Sequence, residues 1–101
     1  MSTQKSIIKI QDWYISNCDG DWEHACRFKL ESLDNPGWML TVDLAGTHQE
    51  NQAFTERRAN YEHDTQWIFV RKEGAKLKGA CGPTKLEEML TIVAEWLQPI
   101  E

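Results

Sequence analysis

The sequence predicts an α+β fold, with a single antiparallel sheet of about five strands flanked by an N-terminal and a C-terminal helix. Apolar residues recur at helical spacing near both ends of the chain. Between them, apolar and charged residues alternate, and short turns rich in Gly, Asp, Asn and Pro separate the alternating stretches. This order favours one sheet with both helices packed on it. A chain of 101 residues has room for one hydrophobic core, so we expect a single domain, 1–101.

The first helix is predicted over residues 4–16 as an amphipathic segment. Ser2 or Thr3 can serve as its N-cap, and Asn17 with Gly20 ends it. Its apolar face is predicted from residues at helical spacing and their neighbours: Ile7, Ile10 and Tyr14, with Ile8 and Ile15.

A hairpin follows. Residues 25–33 alternate as a half-buried strand does, with Cys26, Phe28 and Leu30 on one face and charged residues on the other. The sequence Asp34-Asn35-Pro36-Gly37 predicts a turn, in which the glycine accepts a positive φ. A second strand over 38–44 then returns antiparallel.

The remaining strands are less evenly patterned. Residues 47–66 are polar, and Ala53, Phe54 and Tyr61 are candidate anchors for a middle strand. A last hairpin is predicted from 67–72 and 76–80 around the Glu73-Gly74 turn, with Leu77 pointing inward.

The second long helix has clear boundary signals. Thr84 and Glu87 match a capping box, and Pro99 stops the helix. Its apolar stripe is Leu86, Met89, Leu90, Val93 and Leu97, widened by Ile92 and Trp96.

Charge and composition exclude several functional classes. The net charge is -5, from 16 acids and 11 bases, which argues against nucleic-acid or anionic-membrane binding and favours a basic partner. No apolar stretch approaches the roughly 20 residues of a membrane span, and the start lacks a secretory signal, so we expect a cytoplasmic protein. The three cysteines are widely spaced and are expected to be reduced.

The segment Cys18-Asp19-Gly20-Asp21-Trp22-Glu23-His24 concentrates three acids, an imidazole, a thiol and an indole in seven residues. One interpretation is structural: the aspartates cap turns, the indole joins the core, and Glu23 and His24 pair with neighbours. A second is an enzyme, in which Asp19, Asp21, Glu23 and His24 hold a metal ion or Cys18 is activated by His24. The spacing is not that of a calcium loop, and acids beside a thiol raise its pKa, so the enzyme is the weaker interpretation.

Cys81 offers another enzymatic interpretation. It lies just before a helix N-terminus, where the helix dipole can lower a thiol pKa and create a sulfurtransferase-like nucleophile. The surrounding loop lacks the donors and basic residues that would cradle a sulfur anion, so a structural role is favoured. No cofactor is predicted.

Five tryptophans are a heavy load for so small a core. Trp67 and Trp96 are predicted to be core residues. Trp13, Trp22 and Trp38 flank the two unusual segments and are candidates for a shared, partly exposed surface, because a buried indole needs a partner for its N–H and a small core seldom hides all five completely. At Asp34 to Trp38, a hairpin turn followed by a core indole explains the same residues.

Taken together, these segments resemble the immunity protein 53 family of bacterial polymorphic toxin systems. The resemblance runs through Trp13-Tyr14, 18–24, 33–38, Asp43-Leu44 and Gly46-Thr47, and continues more loosely through Trp67, Gly79, Gly82, Leu86 and Trp96. The chain departs from the family pattern at four positions: Arg27 replaces Gly, Ser32 replaces Thr, Leu77 replaces an aromatic and Gln66 replaces an acid.

The resemblance implies a non-enzymatic protein that is encoded beside a toxin, binds it and blocks it. The acidic loop suits a basic toxin surface, and a nuclease would fit by charge, since a groove that attracts phosphates also attracts carboxylates. The predicted partner-binding residues come from the loop and the hairpin turn: Asp19, Asp21, Trp22, Glu23, His24, Asp34, Asn35 and Trp38.

Overall fold

The computed structural model describes residues 3–59 and 65–97. Within these two ranges, three helices and five strands form in the order α1 (Thr3–Asn17), α2 (Trp22–Ala25), β1 (Phe28–Leu33), β2 (Gly37–Asp43), β3 (Arg57–Ala59), β4 (Ile68–Glu73), β5 (Lys76–Cys81) and α3 (Leu86–Leu97). The strands make one antiparallel sheet in the order β1-β2-β5-β4-β3. The predicted α+β class, with a helix at each end of the chain, is confirmed.

One face of the sheet, here called the covered face, carries the hydrophobic core. Helix α3 packs across β4 and β5, and α1 packs against α3. Because side chains alternate along a strand, most inward positions of the three central strands become buried. These residues are Leu40, Val42, Ile68, Val70, Leu77 and Cys81. The predicted inward position of Leu77 is confirmed.

The opposite face, here called the open face, has no helix of the described segments over it and is lined by charged side chains. Glu73 lies 3.1 Å from both Arg71 and Lys78, while Lys29 pairs with Glu31 at 3.9 Å. All of these side chains are well exposed, so each pair contributes little stability. Within the described residues, no helix is long and apolar enough to cross a membrane.

The predicted buried face of α1 is wrong. Among residues 6–17 of this helix, Ser6 and Trp13 are buried, whereas Ile7 is 52% exposed and Ile15 is 57% exposed. The Ser6 hydroxyl lies 3.0 Å from the Thr91 hydroxyl on α3, so a polar contact joins the two helices where the pattern predicted an apolar stripe. The predicted N-cap lies outside the residues whose side chains the structure describes.

Two strand predictions also need correction. β1 begins at Phe28, not at residue 25, because Trp22–Ala25 form a helical turn. The middle strand is Arg57–Ala59, whereas the predicted anchor Phe54 instead packs edge-to-face on Trp96, with ring centroids 5.3 Å apart. Tyr61 lies outside the described residues, as does Pro99.

The start of α3 differs from the predicted capping box. The Thr84 hydroxyl donates to the Thr65 carbonyl oxygen at 2.8 Å, which ties the helix start to the segment before β4. The helix begins at Leu86, and its first intrahelical bond runs from the Met89 N–H to the Lys85 carbonyl. Gly74 has a φ of +62°, as its predicted turn between β4 and β5 requires.

Candidate functional site

The loop between α1 and α2 is held by its own carboxylates. Asp19 accepts hydrogen bonds from the backbone N–H groups of Asp21 and Trp22, both at 2.9 Å. Glu23 reaches back and accepts from the N–H groups of Asp19 at 3.0 Å and Gly20 at 2.9 Å. Gly20 has a φ of +97°, which lets the chain turn back on itself. The predicted role of Asp19 as a turn cap is confirmed.

These hydrogen bonds also fix the charge of the loop. The N–H groups of Trp22 and Asp21 lower the pKa of the Asp19 carboxyl, because they stabilise its ionised form. The pKa of Glu23 is lowered by its own backbone N–H and by those of Asp19 and Gly20. Asp21 and His24 are exposed beside them, and Asp21 makes no capping bond. The loop therefore presents an ordered, negatively charged surface at neutral pH.

Trp22 is not part of that surface. Its indole is 9% exposed, and the indole N–H donates to the Ala45 carbonyl at 2.9 Å. The ring packs edge-on against Trp13 and Tyr14, with centroids 5.7 Å from each. The prediction of a partly exposed indole is wrong here, because the carbonyl of Ala45, just after β2, accepts the indole N–H inside the domain. Trp22 therefore anchors the loop to the core.

Trp13 is also buried. Its indole N–H donates to the Gln49 side-chain oxygen at 2.9 Å, and the Gln49 amide donates in turn to the Leu97 carbonyl at 3.0 Å. This relay joins α1, the segment after β2 and the end of α3. Trp67 and Trp96, which were predicted to be core residues, are half-buried instead.

The hairpin tip between β1 and β2 exposes the other predicted polar residues. Asp34, Asn35 and Pro36 are all exposed. Gly37 is needed for close packing rather than for a positive φ, since a Cβ atom there would lie 2.5 Å from the Cys81 carbonyl oxygen. Trp38 is half-buried against the core, and its indole N–H donates to the Pro83 carbonyl at 3.3 Å.

The acidic loop and the hairpin tip lie at opposite ends of β1. Phe28 pairs with Val42 at the loop end, and Leu33 pairs with Gly37 at the tip end. A strand of six residues spans roughly 20 Å at about 3.3 Å per residue. The predicted residues therefore form two separate patches of one chain, joined by the length of β1.

The enzymatic interpretation gains no support from the site geometry. Among residues 3–59 and 65–97, no three His, Cys, Asp or Glu side chains come together as metal ligands would. Cys81 is fully buried, and burial together with the nearby Glu88 charge raises its pKa to about 11, against a smaller opposing effect of the Trp38 N–H. At neutral pH its thiol stays protonated, so it is a poor nucleophile.

The sequence prediction missed an apolar groove beside β1 on the covered face. A cavity of about 530 Å³ lies between α1, β1 and the start of α3. It is lined mainly by Ile7, Ile10, Phe28, Leu30, Leu86 and Leu90. The signal for it was present in α1, where apolar residues fall on more sides of the helix than one core contact can bury.

These features define a small α+β fold that presents an ordered acidic loop, an exposed turn and an apolar groove. A family model described as immunity protein 53 matches residues 7–98, which is nearly the whole chain, and the chain belongs to this family. The resemblance predicted from the sequence motifs is thereby confirmed, and family membership supports an immunity role. No curated protein and no solved structure matches the chain significantly.

Proposed function

We propose that this protein binds a cognate bacterial toxin in the cytoplasm and neutralises it by covering the surface with which the toxin acts. The ordered acidic loop is the observation that carries the proposal. Asp19 and Glu23 are already fixed by backbone N–H groups, so little conformational entropy is lost when a partner docks. Family membership supplies the expectation that the partner is a toxin.

The contact residues are those of the two exposed patches. Asp21 and His24 present exposed side chains beside the fixed carboxylates, and Asp34, Asn35 and the exposed part of Trp38 form the second patch. Trp22 acts indirectly, by holding the loop in shape. A basic partner surface complements the loop, and complementary charge mainly speeds association. A nuclease toxin fits this chemistry, since its phosphate-binding groove would attract the same carboxylates.

Asp21→Lys tests the proposal more cleanly than a change at Glu23, because Glu23 also maintains the backbone of the loop. The toxin domain encoded beside the gene serves as the binding partner. We expect a rise of about tenfold or more in the dissociation constant, mostly through slower association, and loss of protection when both proteins are produced in cells. Binding is measured by surface plasmon resonance at two salt concentrations.

Glu95→Lys is the matched control, since Glu95 is an exposed acid on α3 and the substitution changes the net charge equally. This variant should bind and protect like the unaltered protein. Unchanged binding by Asp21→Lys would remove the acidic loop from the interface. Absence of any binding by the unaltered protein would instead reject this toxin as the partner.

A further inference from the structure

The outer edge of β1 has backbone groups available for pairing. In the sheet formed by the described residues, β1 is an edge strand whose partner is β2. The Asp43 N–H donates to the Arg27 carbonyl at 3.0 Å, so the pair Arg27 and Asp43 is hydrogen-bonded. Hydrogen-bonded pairs alternate with non-bonded pairs along an antiparallel ladder. The backbone N–H and C=O groups of Lys29, Glu31 and Leu33 therefore also point toward β2. The peptide groups of Phe28, Leu30 and Ser32 therefore point outward.

The hydrogen bonds between β2 and β5 give the same alternation of backbone directions. The Leu44 N–H donates to the Ala75 carbonyl at 2.8 Å. The backbone N–H and C=O groups of even-numbered β2 residues therefore point toward β5, and those of odd-numbered residues point toward β1. The outward direction of the β1 groups thus follows from two independent hydrogen bonds.

The charges along this edge are self-complementary. The side chains of Lys29 and Glu31 lie on the open face and are 66% and 44% exposed, while Leu30 between them points to the covered face and is 39% exposed. An antiparallel copy of the same strand, centred on Leu30, places each Lys29 opposite the Glu31 of the other copy. In the same register, the outward N–H and C=O groups of Phe28 lie opposite those of Ser32 in the other copy. The outward groups of the two Leu30 residues lie opposite each other.

We infer that the protein forms a homodimer through antiparallel pairing of β1 with β1 of a second copy, around a two-fold axis at Leu30. The two sheets then join into one continuous ten-stranded sheet. Phe28 and Leu30 of the second copy project on the covered side and occupy the apolar groove beside Ile7 and Ile10. A toxin strand would also meet the open edge, but the reciprocal charge pattern favours a second copy.

The dimer also unites the two separate patches. Antiparallel pairing puts the start of one β1 beside the end of the other, so Arg27 of one copy faces Leu33 of the second copy and lies next to its Asp34. The acidic loop of one chain and the hairpin tip of the other then share one end of the assembly. This inference stands apart from the toxin-binding proposal and is tested without a toxin.

Charge reversal on the unaltered fold tests the pairing. Lys29→Glu and Glu31→Lys each place like charges opposite each other at two positions, so each should raise the dimer dissociation constant by about tenfold or more. The double variant restores opposite charges and should dimerise again. An equimolar mixture of the two single variants should form a heterodimer. Sedimentation equilibrium over the micromolar range distinguishes 11.7 kDa from twice that mass.

Lys78→Glu is the control, because Lys78 lies on the open face of the central strand β5 and pairs with Glu73. It should dimerise normally. Amide hydrogen exchange gives a second readout: the N–H groups of Leu30 and Ser32 should become protected as concentration rises, while those of Lys29 and Glu31 are protected throughout. A mass of 11.7 kDa at every concentration, or outward N–H groups that exchange freely in a dimer, would overturn the inference.

Discussion

The two ends of β1 use the same residue types in different ways. At the loop end, Trp22 is buried and the carboxylates of Asp19 and Glu23 are bound by backbone N–H groups. At the tip end, Trp38 is half-buried and Asp34 is exposed. The loop end is thus stabilised by its own polar groups over an aromatic support, whereas the tip end is stabilised by close backbone packing against Cys81. Similar composition does not imply similar exposure.

The largest expected difference between the two ends concerns their indoles. Trp22→Ala should reduce the free energy of unfolding by about 3–5 kcal/mol, because it leaves a cavity under Tyr14 and Trp13. Trp38→Ala should cost roughly 1–3 kcal/mol, since part of its ring is already in water. Urea unfolding followed by circular dichroism measures both values.

Trp22→Phe separates packing from hydrogen bonding at the loop end. It keeps an aromatic ring against Trp13 and loses the N–H bond to Ala45, so its cost should fall between those of the unaltered protein and Trp22→Ala. Equal losses for Trp22→Ala and Trp38→Ala would contradict the burial that distinguishes the two ends.

The glycines give the next largest effect. Gly37→Ala at the tip end should cost about 1–3 kcal/mol, because the new Cβ would meet the Cys81 carbonyl oxygen, a backbone atom that cannot move aside alone. Gly20→Ala at the loop end meets no atom within 4 Å but is held at a φ of +97°, and should cost about 1–2 kcal/mol.

Gly20→Asn distinguishes the two causes, since Asn tolerates positive φ better than Ala does. It should recover part of the stability lost in Gly20→Ala. Gly37→Asn should be at least as damaging as Gly37→Ala, because the obstacle there is steric. Thermal unfolding of the four variants tests this ordering, and recovery at residue 37 would contradict it.

Local patterns were sufficient for the parts of the fold that depend on neighbouring residues. The hairpin of β1 and β2 and that of β4 and β5 follow from period-two alternation and turn residues. Residues that find partners far along the chain were not predictable in this way. The Ser6 contact with Thr91 spans 85 positions. The apolar periodicity of α1 does not indicate that a serine, and not an isoleucine, lies at the contact with α3.

The candidate site divides along the same line. The turn-capping role of Asp19 is local and was predicted, because the two N–H groups that donate to its carboxylate lie within three residues. The burial of Trp22 depends on Ala45, 23 positions away, and the separation of the two patches depends on strand register. The sheet order β1-β2-β5-β4-β3, which leaves β1 at the edge, was likewise beyond the reach of local pattern.

The smallest predicted effect is the pH dependence of the loop end. The folded-state pKa values of Asp19 and Glu23 are lowered, so their ionised forms stabilise the fold above the unfolded values, about 3.9 for Asp and 4.3 for Glu. This contribution is lost as the pH falls through the lower folded-state values.

Asp19→Asn keeps the acceptor oxygen but removes the charge, so it should be less stable than the unaltered protein at pH 7. Because protonation removes the same charge, the two unfolding free energies should converge in acid, and Asp34→Asn at the tip end provides the comparison. A gap between the unaltered protein and Asp19→Asn that persists below the folded-state pKa would show that the loop depends on side-chain shape and not on charge.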